Sequence, residues 1–459
     1  MRAKTILQPE LYFDPPSLKI TEEFYSKYER ISQLLDDNPG VLDLVHGDLQ
    51  SLAEFEAPGR ARYASDTVLR LAICQVVEGL SLRGTIVRVD TCTALRHFVR
   101  VDASTMMDYS TFCRLRNAIQ PETWQKINRL LAEYAVEQGT IRGEALRLDT
   151  TAVETNIHWP TDSSLLVDVY RTIKSDLDHA RRLGVRLLVG RRFHLDTVRK
   201  LALRIVRKSG RKGSTAKGLK SLYRRLIRQI EEILATAGAV AGWLRDRRTS
   251  CSEGGDSSLA ERLLDLERLG RQVVSQARRR VLVGESVPND EKLFSVFEPH
   301  TELLIRGKAG KPVEFGHMIQ IQQVKEKFIT DYAVFDRRPA EPALLAPALA
   351  SHRALFGRDP VSVAADKGYF EGATVANLET RIPTVSIAKK GKRSAAEIER
   401  EHDPIFRHAQ RFRAGVEGTI SFLKRVLGLS RCYAKGWTHF QSTVGTGIFV
   451  HNLLLLTRC

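Results

Sequence analysis

The sequence predicts a mixed α/β fold whose sheet is interrupted by a large all-helical insertion and preceded by an all-helical amino-terminal region. Up to about residue 140, apolar residues have helical spacing, as in TVLRLAICQVVEGL. From about residue 143 the pattern alternates and is rich in β-branched residues, as in ALRLDTTAV. The next strand-like segments follow only after a stretch with helically spaced leucines. We therefore predict three parts, which are residues 1–140, residues 161–290, and a sheet-containing part formed by 141–160 and 291–459.

The amino-terminal part contains DYSTFCRLRNAI, which is typical of a short capped helix. Asp108 or Ser110 can cap it, because both side chains accept hydrogen bonds from the N–H groups of a first turn. Arg114 and Arg116 would then lie in its first turns, where they are candidate contacts to DNA phosphates or a DNA groove. A helix-turn-helix is one interpretation of this segment, and a plain helical bundle is the alternative.

The sheet is predicted from a series of strand-like and helix-like segments. A first strand is expected to end near Asp149, and further strands are expected at EFGHMIQIQQ, KFITDYAVFD, DPVSVAAD and IPTVSIA. Helices are expected at EPALLAPALASHRALF and near EGATVANLE, and this order is typical of an α/β sheet. The apolar run GIFVHNLLLLTRC is too short to span a bilayer, so we expect a buried terminal helix.

The cysteines and the amino-terminal residues indicate the cellular compartment in which the protein is expected. The six cysteines form no C-x-x-C pair, which argues against a disulfide framework or a zinc site. The amino end has no apolar run that could act as a secretion signal. We expect a cytoplasmic chain that does not associate with a membrane.

Positive charge is concentrated in the first half of the insertion. The chain has a formal net charge of +17. The segment from Arg181 to Arg228 contains 17 Lys or Arg residues and a single acid, Asp196. Such a run favours a polyanionic partner because it releases condensed counterions, although a solvated helical face is the alternative. The candidate phosphate contacts in this run are Arg204, Arg207, Lys208, Arg211 and Lys212.

Three carboxylates stand in settings that suit metal-dependent chemistry on a phosphodiester. Asp149 and Asp366 each follow an apolar, strand-like segment, and Glu417 lies in RFRAGVEGTISFLKR. A single helix through the last segment would place Arg413, Glu417 and Lys424 on one stripe, since 3.6 residues make a turn. Carboxylates brought together repel one another unless cations intervene. Oxygen ligands suit Mg²⁺ or Mn²⁺, and two such ions can serve phosphoryl chemistry.

The segments that carry these residues resemble those of DDE transposases of bacterial insertion sequences, most closely the ISNCY group. The resemblance covers most of the chain. It is carried by DTTAVETNIHWPTDSSLL, EPHTELLIRGKAGKPVEFGH, ADKGYF and the spacing R-x-x-x-E-x-x-x-x-x-x-K, in this order. It implies an RNase H-like mixed sheet flanked by helices, and an amino-terminal domain that helps to bind the element's terminal inverted repeats.

The resemblance also implies roles for individual residues. Asp149, Asp366 and Glu417 would bind the catalytic metal ions, and Arg413 and Lys424 would occupy the basic positions of the R-E-K signature. The family signature begins with a tyrosine three residues before the arginine, where this chain has Gln410. Lys367, next to the second acid, is a further candidate DNA contact.

The implied function is Mg²⁺-dependent strand cleavage and strand transfer at the ends of an insertion sequence. Its partners would be the terminal inverted repeats, the target DNA and a second copy of the chain, because two ends must be joined together. The alternatives are a nuclease with the same site that does not transpose, and a domesticated DNA-binding protein descended from a transposase.

Overall fold

The computed structural model forms two compact units. One consists of Met1–Thr155 with His317–Cys459, and the other of Asn156–Gly316. The second unit includes all of the predicted insertion, whereas the predicted division between the amino-terminal and sheet-containing parts stays a prediction. The structure describes residues 3–5, 18–54, 63–102, 105–209, 216–248, 255–308 and 311–458.

Helices make up the amino-terminal part of the first unit. They are α1 (Lys19–Asp36), α2 (Pro39–Glu54), α3 (Ser65–Val77), α4 (Leu82–Thr91), α5 (Thr93–Val99), α6 (Tyr109–Ala118) and α7 (Pro121–Glu137). The all-helical character predicted for this region is therefore confirmed in the residues described. Asp108 caps α6 by accepting from the Ser110 backbone N–H at 2.8 Å. Hydrogen bonds from Ser110 also hold the pKa of the Asp108 carboxyl below its usual value.

The second unit is mainly a bundle of helices. They are α8 (Asp162–Arg182), α9 (Leu195–Ser209), α10 (Ala216–Arg248) and α11 (Gly255–Ala277), with a short π-helical segment at Arg278–Val283. Ile173, Leu226 and Leu263 are fully buried in the core that these helices share. The helical pattern of the insertion is therefore confirmed in the residues described, because its apolar stripes face one another in the bundle.

The sheet of the first unit is mixed. The strands of the chain are β1 (Ala145–Thr155), β2 (Glu302–Lys308), β3 (Lys311–Val324), β4 (Ile329–Val334), β5 (Ser362–Ala365), β6 (Thr384–Ile387) and β7 (Arg431–Cys432). In the first unit the order is β3-β1-β5-β6, with β4 antiparallel to β3 and β7 parallel to β1. Strands β1, β5 and β6 run parallel to one another. Strand β2, which the sequence pattern did not indicate, forms an antiparallel hairpin with the first residues of β3 in the second unit.

The first strand is longer than predicted. The expectation that it ends near Asp149 is wrong, because β1 continues to Thr155. Its last residues pair with β7, where Glu154 is in register with Arg431. Asp149 therefore lies inside β1, at the point where the neighbouring parallel strand β5 ends.

Helices cover the sheet of the first unit on its two faces. After the sheet begins, the chain adds α12 (Leu345–Phe356), α13 (Gly372–Glu379), α14 (Ala395–His402), α15 (Pro404–Ala414), α16 (Val416–Arg425) and α17 (Trp437–Leu456). Leu146 and Leu148 are buried against residues of α12 and α13. Successive side chains of a strand point to opposite faces, so Arg147 and Asp149 face α15 and α16 instead.

The last helix, α17, is largely buried, as the apolar carboxyl-terminal run predicts. The Phe449 ring of α17 packs against Trp124 of α7, with the ring centroids 5.9 Å apart. None of the helices in the described part of the chain combines the length and the apolar character that a membrane crossing requires.

Candidate catalytic site

Two of the three candidate acids occupy equivalent positions on neighbouring parallel strands. Leu148 of β1 is in register with Ala365 of β5, so Asp149 and Asp366 take the next position on each strand. Neighbouring strands lie about 4.8 Å apart, which brings the two residues to one place on the sheet. Each carboxylate accepts a 2.7 Å hydrogen bond from the backbone N–H of the residue that follows it. Because β5 ends at Ala365, Asp366 is exposed, whereas only 15% of the Asp149 side chain is accessible.

Arg413 contacts the third candidate acid together with the first. Its Nη1 lies 3.6 Å from Asp149 Oδ2, and its Nη2 lies 3.9 Å from Glu417 Oε1. One guanidinium group thus bridges a carboxylate on the sheet and a carboxylate at the start of α16. The Glu417 side chain is 71% exposed and the Arg413 side chain only 18%. The structure therefore brings Asp149, Asp366, Glu417 and Arg413 to one edge of the sheet.

The helix that carries the third acid is divided, which the sequence pattern did not predict. Helix α15 ends at Ala414 and α16 begins at Val416, so the expected single helix is wrong. Arg147 of β1 lies at this division, where its Nη1 donates to the Phe412 carbonyl oxygen at 2.7 Å. This carbonyl also accepts from the Gly415 N–H, three residues on. A Cβ at position 415 would lie 2.5 Å from Arg147 Nη1, so glycine leaves room for the guanidinium.

Arg147 also anchors α16 through a polar network inside the protein. Its guanidinium donates to Gln323 Oε1 of β3 through both Nε and Nη2, and the Nε distance is 2.8 Å. Gln323 Nε2 donates in turn to Thr419 Oγ1 of α16 at 3.0 Å. Because Thr419 lies two residues after Glu417, this network fixes the first turn of α16 against the sheet. Sequence reasoning missed Arg147 and Gln323, since neither stands in a recognisable motif.

The buried side of α16 and of the residues just after it is apolar. Val416, Leu423 and Leu427 are buried, and Ile420 is partly buried. Glu417 lies on the exposed side of the same helix. The spacing of these apolar residues is sufficient to predict which side of α16 is buried, because the buried face of a surface helix repeats every three or four residues.

Gln410 occupies the position at which the R-E-K signature of the similar transposases begins with a tyrosine. Its Nε2 donates to the Ser386 carbonyl oxygen at 2.7 Å and to Ser386 Oγ at 3.1 Å. It also lies 3.5 Å from the carbonyl oxygen of Ala365, the residue before Asp366. Gln410 therefore ties α15 to the ends of β5 and β6, next to the second acid.

A further carboxylate, which the sequence analysis did not single out, contacts residues that follow two of these acids along the chain. Glu341 precedes α12 in a short 3-10 turn, and its Oε1 accepts from Thr150 Oγ1 at 3.3 Å. A Cβ at Gly368 would collide with Glu341 Oε2, so this carboxylate rests on the turn that follows Asp366. Among the described residues, no three His, Cys, Asp or Glu side chains stand close enough, as they are placed, to hold one metal ion.

The other candidate DNA contacts occupy varied settings. Lys367 is exposed directly after Asp366, and Lys424 is partly buried on α16. Arg114 and Arg116 are partly buried on α6. The Nε of Arg116 is shielded from solvent and has no hydrogen-bond partner, and burial lowers its pKa.

The basic run of the insertion is exposed where the structure describes it. Arg204, Arg207 and Lys208 lie on the solvent side of α9, opposite its buried residues. Arg211 and Lys212 lie outside the described residues. Contacts of these side chains with DNA stay a prediction.

Comparison with known protein families gives one match. Residues 307–453 match the family described as Transposase DDE domain. The match covers about a third of the chain and includes Asp366, Arg413 and Glu417, whereas Asp149 lies outside it. It supports a DDE transposase in general, and domains of this class generally use divalent metal ions. Neither the curated proteins nor the solved structures gave a match to this chain.

Proposed function

We propose that this chain is a DNA transposase that binds the inverted-repeat ends of an insertion sequence, cleaves DNA strands and transfers the freed 3′-hydroxyl to target DNA in the bacterial cytoplasm. The DDE domain match supports the general class. The observation that carries the finer proposal is the contact of Arg413 with both Asp149 and Glu417, beside the adjacent positions of Asp149 and Asp366.

The chemistry of the donor set fits a hard divalent cation. Asp149, Asp366 and Glu417 offer carboxylate oxygens, which are the ligands that Mg²⁺ and Mn²⁺ prefer. We propose that they hold two such ions when DNA is bound. Such ions supply activation of the attacking water or 3′-hydroxyl and stabilisation of the leaving oxygen.

The chain's own cations have separate tasks in this proposal. Arg413 offsets the negative charges of Asp149 and Glu417 through these two contacts when no other cation is near. Its shielded Nε has no hydrogen-bond partner. When DNA enters, Arg413, Lys367 and Lys424 would donate to phosphate oxygens and hold the scissile strand at the acids.

The central test removes one acid at a time. Asp149→Ala, Asp366→Ala and Glu417→Ala should each abolish Mg²⁺-dependent cleavage of DNA that carries the sequences flanking the coding region. Binding of that DNA should persist, since a lost metal ligand is not a lost phosphate contact. The matched control is Glu371→Ala, an exposed acid five residues after Asp366, which should cleave normally.

The same assay separates the alternatives. Substantial strand transfer by any of the three acid variants would reject the proposed site. Cleavage without end joining by the unchanged protein would identify a nuclease that does not transpose. DNA binding without cleavage by the unchanged protein would identify a domesticated DNA-binding protein.

The basic surface of α9 should bind DNA phosphates without sequence preference. Replacing Arg204, Arg207 and Lys208 by Gln should reduce the slope of log K against log salt concentration by about 0.9 for each lost contact. The matched control replaces Arg268 and Arg271 of α11, which are exposed and lie beside acids. An unchanged slope in the α9 variant would show that this face is only solvated.

We further propose that a homodimer assembles on two DNA ends, because strand transfer must act on both ends together. Light scattering on the complex with a DNA end should give the mass of two chains and two ends. A complex with a single chain, active in paired-end transfer, would contradict this part of the proposal.

A further inference from the structure

Helix α9 of the second unit carries two aliphatic residues on its solvent side. Leu203 is 56% exposed and Val206 is 57% exposed. They lie three residues apart and so share one side of the helix, whereas Val198, Leu201 and Ile205 are buried in the core of the unit. Isolated apolar residues are common on protein surfaces, but these two lie inside the basic run of the insertion. The charges around them therefore decide which partner this face of α9 fits.

Exposed cations flank Leu203 on both sides. Each residue of an α-helix turns by about 100°, so Leu203 points almost directly away from the buried side of α9. The same geometry places Arg199 on one side of Leu203. On the other side lie Lys200, Arg204 and Arg207, and all four cations are exposed. The solvent face of α9 thus has an apolar centre between positive charges.

These positive charges are little compensated by acids. Arg199 Nη1 lies 3.8 Å from Asp196 Oδ1, and the two side chains are 51% and 87% exposed. In the part of the chain that the structure describes, Lys200, Arg204 and Arg207 form no ion pair with a carboxylate. The face is therefore complementary to an anionic partner that also offers apolar groups.

The major groove of duplex DNA has this combination of properties. It is about 12 Å wide and admits an α-helix, phosphates border it on both sides, and its floor displays base edges that include thymine methyl groups. A protein interface fits less well, because charged residues are depleted at the centre of such interfaces. A membrane surface needs a larger apolar face than two side chains provide. Duplex DNA is thus the partner whose charge and shape match α9.

We propose that α9 enters the major groove of duplex DNA, where Leu203 and Val206 contact thymine methyl groups. This inference rests on the proposed function and extends the binding of phosphates by the same helix. Contacts of the cations with phosphates carry no sequence preference, whereas the two aliphatic side chains add a preference for thymine. The apolar contacts do not depend on counterion release, so they contribute to affinity without changing its dependence on salt.

The test compares two duplexes that differ only in the thymine methyl groups. One is a thymine-rich duplex unrelated to the sequences flanking the coding region, and the other carries deoxyuridine in place of every thymine. Fluorescence anisotropy measures the affinity of the full-length protein for each duplex at several salt concentrations. The unchanged protein should bind the deoxyuridine duplex more weakly, by about fourfold for each methyl group that is contacted. The slope of log K against log salt concentration should be equal for the two duplexes, because their phosphates are the same.

A double variant removes the apolar contacts from the protein. Leu203→Gln combined with Val206→Gln should leave the thermal midpoint unchanged, because both positions are exposed and glutamine is a good helix former. The variant should bind the thymine duplex more weakly at an unchanged salt slope, and it should no longer distinguish the two duplexes. Leu203→Met combined with Val206→Met keeps apolar side chains and should retain the discrimination. The matched control is Val283→Gln, a 75% exposed position outside α9, which should behave as the unchanged protein.

Several results would overturn the inference. Equal affinity of the unchanged protein for the two duplexes would show that no thymine methyl group is contacted. Discrimination that persists in the double Gln variant would place the contact elsewhere in the protein. Normal DNA binding by that variant, together with a changed mass in light scattering, would assign this face to a second copy of the chain. Failure of the proposed function is distinct, because a salt slope that stays the same when Arg204, Arg207 and Lys208 are replaced would show that α9 does not bind DNA at all.

Discussion

Replacing Arg147 by Met should disturb the third acid from inside the protein. Arg147 is buried, and its guanidinium donates to Gln323 Oε1 and to the Phe412 carbonyl oxygen. Methionine fills the space of the aliphatic stem but offers no donor. The turn between α15 and α16 and the network to Thr419 would both lose their support, so Glu417 should no longer be held beside Asp149.

The change in stability is the difference between two opposing effects. One buried and one partly buried acceptor lose a charged donor, which costs about 1–3 kcal/mol for each acceptor. Burial lowers the pKa of Arg147 to about 10, which corresponds to a penalty of roughly 3 kcal/mol on the charged form that the variant no longer carries. The two effects largely cancel, so the free energy of unfolding should fall by roughly 1 kcal/mol and at most about 3 kcal/mol, and a loss of 1 kcal/mol lowers the thermal midpoint by roughly 2–4 °C.

The assay pairs calorimetry with Mg²⁺-dependent DNA cleavage. We expect cleavage to fall by much more than the stability loss explains at a temperature where the variant is folded, because Glu417 would be misplaced. Arg407→Met, on the exposed side of α15, is the matched control and should change neither quantity. An Arg147→Met protein with normal cleavage and an unchanged midpoint would refute the reasoning that this arginine positions α16.

Two further predictions concern packing and pH. Gly445→Ala should lower the urea midpoint by an amount equivalent to about 1–3 kcal/mol, because the new Cβ would lie 2.6 Å from Trp124 Cβ. The control is Gly418→Ala, whose Cβ would enter open space and should not destabilise the protein. Equal midpoints for the two variants would contradict this packing argument. Hydrogen bonds from the Lys389 side chain and from the cap of α14 lower the pKa of Glu397 to about 2. The stabilisation that Glu397 gives to the start of α14 should therefore be complete above about pH 4.5 and should disappear as the pH falls towards 2. Helical chemical shifts at α14 should follow this titration, and Glu397→Gln should remove it; a titration that persists in the variant would assign it to another group.

Local patterns were sufficient to predict much of the fold. The alternation at ALRLDTTAV and the apolar stripes of the insertion depend on neighbours a few residues away, and the structure has a strand and helices there. The cap of α6 by Asp108 is equally local. The length of β1 could not be predicted in this way, because its second half is stabilised by pairing with β7, more than 270 residues further along the chain.

The sequence by itself indicated the candidate residues for the chemistry and the kind of element, strand or helix, on which Asp149 and Glu417 lie. The tertiary structure alone decided their neighbours. At the division of the helix, the Phe412 carbonyl accepts from Arg147, 265 residues earlier, and Glu341 accepts from Thr150 across 191 residues. The spacing of apolar residues along the sequence predicts only which face of a single helix or strand is buried. The contacts named above arise instead from the order in which the strands join the sheet. Side chains that share no local pattern can therefore become neighbours, because sheet pairing and helix packing bring their backbones together.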